Sequence, residues 1–322
     1  MISVVIPAYN SEAKITECLV SLKSQSYKRP YEIIVVDDGS IDNTAKEAKK
    51  TKGVCVIRQD NAGPAKARNN GAKAAKGDIV LFTDADCAAD PDWISQMLKP
   101  FCDKKVVGVQ GRYKTRQTGI VPIFTQLEIE QRYEKMKREK SIDFIGSYSA
   151  AYRKDVFLEF GGFDESFSTA SGEDPELSFR IAKAGHKMIF NPDAVTYHTH
   201  STSLGRYLKS RYVRGYWGRL LYKKHPDMKK KGSSKGSGFF VGIASTCIMT
   251  LLLAVSYVVE SAAYQQHLIS LIILIVLGGI VLYESMYFMV KNSKMVIAGP
   301  VIVYLRNLSI GLGIVSGIKN IR

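Results

Sequence analysis

The chain is expected to be an α/β protein, with a doubly wound, mostly parallel sheet followed by C-terminal transmembrane helices. Three observations predict this. Short β-branched runs alternate with helical patterns through about the first 110 residues, which implies right-handed βαβ crossovers. Several of those runs end in acidic or polar turns: PAYN, DDGS and TDAD. Long, almost uncharged apolar segments then fill most of residues 239–322.

Each element has its own signature. Ile2 to Ile6 is the first strand: no basic region precedes it and Pro7 breaks the apolar run, so MISVVIPAYN is not read as a signal peptide. Glu12 to Ser24 carries Ile15, Leu19 and Leu22 at the spacing of a helix packed on a sheet. Glu32 to Val36, Val54 to Arg58 and Ile79 to Phe82 are further strands, with helices over Asp42 to Lys50 and Ala65 to Lys76 between them. From Val106 to Asn191 the pattern loosens into α+β, with helices over Pro122 to Lys140 and Pro175 to Ala184. In open α/β sheets ligands sit beyond the carboxyl ends of the strands, so PAYN, DDGS and TDAD should line one crevice.

The remaining third is basic and then apolar. A formal charge of +15 calls for an anionic partner, and lysines and arginines are densest from Arg206 to Lys235, directly before the apolar segments. That placement favours an anionic membrane surface. Nucleic acid is not expected, since there is no zinc-finger spacing and no RNA-binding motif. Leu204 to Lys224 mixes Leu204, Leu208, Tyr212, Trp217 and Leu221 with basic residues, as in a helix lying in the membrane interface, although a basic surface helix would read the same way. Spans are expected near 239–259, 268–290 and 295–318; Glu284 should face a neighbouring helix, and Arg306 and Asn307 interrupt the third span.

Lysines before the first span and at Lys291 and Lys294 place the N-terminal domain in the cytoplasm, against a weak opposing signal from Lys319 and Arg322. The expected organisation is thus a cytoplasmic domain over 1–203, a basic interface helix and linker over 204–238, and a multi-pass cell-membrane domain over 239–322. Five dispersed cysteines without CxxC spacing fit a reducing compartment.

Four stretches carry the chemistry. Asp84 and Asp86, one residue apart after an apolar strand, can hold a divalent cation that also bridges phosphate oxygens; Mg²⁺ or Mn²⁺ is the hard-ligand choice. Asp37 and Asp38 close another strand, where an acid could accept hydrogen bonds from a nucleobase or a ribose hydroxyl. Gly63 allows a close turn before a helix that carries Arg68, whose guanidinium can pair with phosphate or base oxygens. Glu173 and Asp174 open a helix with Pro175 close behind, where capping alone would explain an acid nearly as well.

Taken together, IPAYN, VVDDGSIDNT, NAGPAKARNNGAKAAKGDIVLFTDAD, RKDVFLEFGGFDESF and GEDPELSFRIAKAG resemble the family 2 glycosyltransferases with a GT-A fold, in family order over roughly the first 200 residues. The resemblance implies a nucleotide-sugar donor, inverting transfer and a metal at Asp84-Ala85-Asp86. It implies that Pro7, Ala8 and Tyr9 line the base with Asp38, and that Arg68 lies near the base or phosphates. Asp84 would approach the ribose, Asp86 would hold the metal, and Asp174 would be the catalytic base. Family members often place a histidine near the metal, for which His198 and His200 are both candidates; a pair at i, i+2 shares one face of a strand, and either could instead be a loop residue. Glu173, Gly146, Arg211 and Arg214 are expected around the acceptor.

Two branches of the family fit less well. Cys87-Ala88-Ala89 follows the acids where polyprenyl-phosphate sugar synthases carry an apolar residue and a glutamine, and RYVRGYWGR lacks the QxxRW motif of processive synthases. The expectation is a single-sugar transferase, with UDP-sugar favoured as donor and a lipid or lipid-linked acceptor in surface-polysaccharide or protein-glycan assembly. A polyprenyl-phosphate sugar synthase is one alternative, and a non-catalytic membrane scaffold with a nucleotide-sugar-binding domain is another.

Overall fold

Strand β1 (Ile2–Ala8) is almost wholly buried, as a strand covered on both faces must be, and its continuous apolar run follows from that. It pairs in parallel with β2 (Tyr31–Asp38) on one side and β4 (Ile79–Thr83) on the other, and β3 (Val54–Gln59) extends the parallel half from β2. In this computed structural model, residues 1–167, 171–228, 237–258 and 264–319 are described. They fall into two compact units, one of residues 1–117 and 132–200, the other of 118–131, 201–228 and the helices beyond 236.

The first unit holds one eight-stranded sheet in the order β3-β2-β1-β4-β7-β6-β8-β5. Beyond β4 the sheet is mixed. Strand β7 (Ser149–Arg153) is antiparallel to β4 and to β6 (Val106–Lys114), β8 (Lys187–His198) is parallel to β6, and the short β5 (Cys87–Ala89) returns antiparallel to β8. The sheet is mostly parallel, as expected, and the α+β region supplies its antiparallel part.

Helices α1 (Glu12–Lys23), α2 (Thr44–Lys49) and α3 (Pro64–Ala74) are the crossovers of the parallel half. Ile15, Leu19 and Leu22 of α1 pack with Val4, Ile6, Ile33 and Leu81, the face that its apolar spacing predicts. Helix α4 (Trp93–Leu98) buries Trp93, whose indole N–H donates to Ser149 Oγ at 2.9 Å. Helices α5 (Ile120–Met136), α6 (Lys154–Glu159) and α7 (Glu173–Lys183) complete the domain-length pattern. Phe82, Phe157 and Phe163 form an edge-to-face and tilted cluster with centroids 5.3–5.5 Å apart, one of the arrangements that aromatic quadrupoles prefer.

The second unit contains α8 (Leu204–Lys224), α9 (Ser237–Val258), α10 (Tyr264–Lys291) and α11 (Met295–Lys319), with Pro300 inside the last. Its apolar cluster joins Phe124, Tyr207, Val281, Phe288, Met295, Ile302 and Val303. Helices α8 and α11 approach backbone to backbone. A Cβ at Gly313 would lie 2.0 Å from the Tyr212 carbonyl oxygen, and one at Gly215 would lie 2.2 Å from that of Ile310, so only glycine fits. The bounds of α8 match the expected interface helix; its buried residues are Tyr207, Arg211, Gly215 and Leu221, Leu204 and Leu208 pack against the apolar cluster, and Tyr212 is exposed.

A polar core crosses this unit. Arg306 reaches Glu128 Oε1 at 3.3 Å and Glu284 Oε2 at 3.1 Å, Asn307 Nδ2 donates to Glu284 Oε2 at 2.9 Å, and Arg211 lies 3.4 Å from Glu128. Glu284 thus faces the next helix, as its isolation in an apolar segment predicts. Two helical stretches, Leu274–Lys291 and Met295–Gly317, are long and apolar enough to cross a membrane. Helix α9 covers the first expected span, and Val241–Leu252 within it is an apolar helical stretch. Residues 229–236 of the linker, 259–263, and the terminal 320–322 lie outside the described residues.

Candidate active site

The three expected turns follow the carboxyl ends of β1, β2 and β4, which are adjacent in the order β2-β1-β4. After β1, Pro7 and Ala8 remain in the strand, while Tyr9 is 50 % exposed. Asn10 takes a left-handed φ of 47°, held because its N–H donates to Ser40 Oγ at 2.9 Å and its side-chain oxygen accepts from the Ile41 N–H at 3.1 Å. The PAYN and DDGS turns are thereby bound to each other.

Asp38 shapes the next loop. Its Oδ1 accepts from Gln59 Nε2 at 2.7 Å and the Ala62 N–H at 2.9 Å, and its Oδ2 accepts from the Gly63 N–H at 2.9 Å. The carboxylate expected beside the nucleobase is buried and serves the loop that delivers α3. Gly63, with φ of 91°, caps that helix.

Arg68 on α3 is buried and bridges two acids from distant parts of the chain. Its Nη2 donates to Asp84 Oδ1 at 2.9 Å, and its Nη1 donates to Glu173 Oε1 at 3.2 Å. Arg68, expected near a donor's base or phosphates, lies between the DxD and the start of α7. The neighbouring Asn69 clasps Phe163, donating to its carbonyl at 2.8 Å and accepting its N–H at 2.9 Å.

The DxD follows β4. Asp84 is fixed at both oxygens, since Tyr113 Oη donates to Oδ2 at 3.2 Å while Arg68 holds Oδ1. Asp86 Oδ2 lies 3.2 Å from His198 Nε2 and 3.5 Å from Lys14 Nζ. Burial would raise the Asp86 carboxyl, but the His198 hydrogen bond and charge, with Lys14, outweigh it and hold the group at about 2. Strand β8 ends at His198, so His200 lies beyond it. The two Nδ1 atoms are 3.0 Å apart, and only His198, among the described contacts, reaches Asp86.

These residues fit a hard divalent cation. Such an ion takes oxygen and nitrogen ligands at about 2.0–2.2 Å, so neighbouring octahedral ligands stand about 3 Å apart. The observed 3.2 Å between Asp86 Oδ2 and His198 Nε2 matches that spacing. Ligand atoms of Asp84, Asp86 and Cys87 also lie within 4.8 Å of one another. Cys87 is the poor member of that group: burial pushes its thiol well up, and a thiol suits softer metals.

Glu173 and Asp174 open α7, behind Gly172 with φ of 133°; a Cβ there would also strike the Phe167 ring at 2.4 Å. Asp174 Oδ2 accepts from the Ser147 N–H at 3.1 Å, whereas Oδ1 is shielded from solvent and has no hydrogen-bond partner among the described residues. Burial raises the carboxyls of both residues; the charge of Asp174 adds to the rise at Glu173, and Arg68 opposes it at both. A capping acid would accept from its own helix; Asp174 accepts instead from a separate loop.

That loop is set by residues whose roles the motifs do not mark. Gln110, buried in β6, accepts from the Gly146 N–H and donates to the Ser149 carbonyl at 3.2 Å. Gly146 is therefore placed one residue from the group that holds Asp174. Tyr113 stacks on Tyr148 at 3.8 Å and on His198 at 4.9 Å. A buried glutamine within VVGVQGRYK was the one legible signal for this region. Arg211 and Arg214 belong to the second unit, where Arg211 pairs with Glu128.

A mostly parallel sheet of this topology, with a DxD after β4 and a buried acid at a helix start, is the arrangement of a GT-A fold. The chain belongs to glycosyltransferase family 2: residues 3–161 match the model of Glycosyl transferase family 2. It is 30 % identical over 237 residues to the pre-mycofactocin glycosyltransferase of Mycobacterium tuberculosis, covering 70 % of this chain and 48 % of that protein. It is 28 % identical over 223 residues to glycosyltransferase AglE of Haloferax volcanii, covering 66 % of this chain and 70 % of that one. The chain thus spans about half the length of the first of these relatives. Its fold is similar to that of the mannosyltransferase PcManGT from Pyrobaculum calidifontis, solved with GDP-Man and Mn²⁺. The TM-score is 0.62 at 20 % identity, covering 95 % of this chain and 86 % of that one.

Proposed function

We propose that the chain is an inverting, divalent-cation-dependent transferase that moves one sugar from a nucleotide-sugar donor to a membrane-associated acceptor. UDP-sugar is the favoured donor, and a lipid-linked glycan the favoured acceptor, in surface-polysaccharide or protein-glycan assembly. The observation that carries the reading is the state of Asp174: one oxygen is held by the Ser147 N–H, and the other has no hydrogen-bond partner among the described residues. A carboxylate so arranged is oriented and keeps a lone pair for an acceptor hydroxyl.

The roles follow from position. Asp86 and His198 would hold Mn²⁺ or Mg²⁺, which when bound supplies positive charge against the departing diphosphate. Tyr9 would cover the base, and Asp84, fixed by Arg68 and Tyr113, would face the ribose. Asp174 would take the acceptor's proton as its oxygen attacks the anomeric carbon from the side opposite the leaving group, which inverts the centre. A retaining hydrolase would need two carboxylates about 5 Å apart flanking the bond. The apolar helices Leu274–Lys291 and Met295–Gly317 support a membrane-bound enzyme, and the lysine distribution supports a cytoplasmic site.

The test is transfer by the full chain in detergent, with native lipid extract as acceptor, a panel of UDP- and GDP-sugars, and Mn²⁺, Mg²⁺ or EDTA. Transfer from one donor into the lipid fraction, abolished by EDTA, is expected. Donor binding without turnover under every condition would favour the scaffold reading instead.

The raised carboxyl of Asp174 sets a pH dependence. The base works ionised, so the rate falls as pH drops through its pKa, and a raised pKa moves that fall above the usual carboxylate value of about 4. The acid limb of kcat against pH, measured at saturating donor, is therefore expected above that value. A limb at about 4 would assign it to an unperturbed acid.

A further inference from the structure

Tyr113 lies on β6, in a strand that carries none of the motifs, yet it touches both Asp84 of the DxD and His198 of the proposed cation site. Its hydroxyl sits in a directed chain, accepting from Cys87 Sγ at 3.2 Å and donating to Asp84 Oδ2 at 3.2 Å. Its ring lies nearly parallel to His198, with centroids 4.9 Å apart and planes 9° from coplanar. The other neighbour in the stack is Tyr148, with centroids 3.8 Å apart. Tyr148 is anchored in turn by Tyr133, whose hydroxyl lies 3.0 Å from that of Tyr148 and accepts the Tyr113 N–H at 2.8 Å. The Tyr113 ring is buried and clamped from its backbone outward, so it cannot swing away from either contact.

We infer that Tyr113 is a positioning residue for the cation-and-diphosphate half of the site: its hydroxyl fixes the rotamer of Asp84, and its ring fixes the plane of His198. This rests on the proposed function, because it presupposes that Asp86 and His198 receive a divalent cation. Without the hydroxyl, Asp84 keeps only Arg68 at its other oxygen and can turn about its side-chain bonds. Without the ring, the His198 imidazole loses the surface that holds Nε2 toward Asp86. The carboxylate and imidazole would still be present, but no longer pre-aimed, and the loss of pre-aiming appears as weaker binding.

The experiment is Mn²⁺ titration of the full chain in detergent, read by the electron paramagnetic resonance signal of free Mn²⁺, with UDP or GDP as the nucleotide probe. Wild type, Tyr113→Phe, Tyr113→Leu and Asp86→Ala are compared, with thermal midpoints measured alongside. Wild type is expected to bind and Asp86→Ala to bind far more weakly. Tyr113→Phe, which keeps the stack, should bind Mn²⁺ in the presence of nucleotide about 10-fold more weakly, with a midpoint lower by no more than several degrees, as loss of a hydrogen bond to a charged group implies. Tyr113→Leu should be weaker by a further several-fold. If Tyr113→Phe and Tyr113→Leu both match wild type, the inference is wrong while the cation site stands. If the two variants are equally weakened, the ring has no part in it and that half is overturned. Should wild type and Asp86→Ala bind Mn²⁺ alike, the cation site itself fails, and the role of Tyr113 with it.

Discussion

Asp174→Asn is expected to lower kcat by about 10²–10⁴-fold, the range a positioned general base supplies, while donor affinity stays within about twofold of wild type. The asparagine keeps the shape of the side chain and can still accept from the Ser147 N–H, but it has no basic oxygen to offer the acceptor. Single-turnover transfer and equilibrium binding of the nucleotide separate the two effects. A variant that binds donor normally and retains more than a tenth of the rate would remove Asp174 from the chemistry and leave it the structural role of tying the Ser147 loop to the start of α7.

The largest stability effect is expected at Arg68. Its guanidinium is the ion-pair partner, among the described residues, of the Glu173 carboxyl, whose side chain is 3 % exposed, and it also pairs with Asp84, which is 30 % exposed. Arg68→Met leaves a buried acid without its cation, a change that costs on the order of 3–5 kcal/mol. For a domain of this size that corresponds to a thermal midpoint lower by roughly 10 °C. Adding Glu173→Gln should recover part of the loss, because the better exposed Asp84 can turn to water and one of the two buried acids that Arg68 offsets is made neutral. A single variant as stable as wild type would mean that Glu173 is carried protonated and that the bridge contributes little. The direction of its shift, raised by burial and by Asp174, makes that outcome informative in its own right.

The parallel half of the fold was legible because its strands and crossover helices each carry a strong local signature. Ile15, Leu19 and Leu22 point to the sheet, and β1 reads as an unbroken apolar run because both of its faces are covered. The antiparallel half was not legible in detail. Strand β7 is only SAAYR, and its pairing with β4 and β6 depends on long-range register that no short window contains. At the site, acids stood out because carboxylates at strand ends are chemically conspicuous. What they bond to did not. Arg68 reads equally well as a phosphate ligand or as a bridge, and three-dimensional proximity of residues 68, 84 and 173 decides where it lies. Tyr113 was invisible as a functional group because an aromatic in a strand is ordinarily core, and Gln110 stood out only as an amide in an apolar strand, with nothing beside it to show what it holds. Arg211 is expected around the acceptor, and its partner Glu128 lies so much earlier in the chain that no short window shows the pair.

Arg306 and Glu284 occupy consecutive helices, α10 and α11, and meet at 3.1 Å. An arginine near the middle of a lone apolar helix resists entry into lipid by about 2.5–3.5 kcal/mol on insertion scales. Each of these helices therefore carries the counter-charge that the other lacks. If they enter a bilayer, they do so most easily as a hairpin, with the second helix emerging from the ribosome before the first has committed. Insertion of this region would then depend on the pairing of the two helices as well as on the hydrophobicity of each.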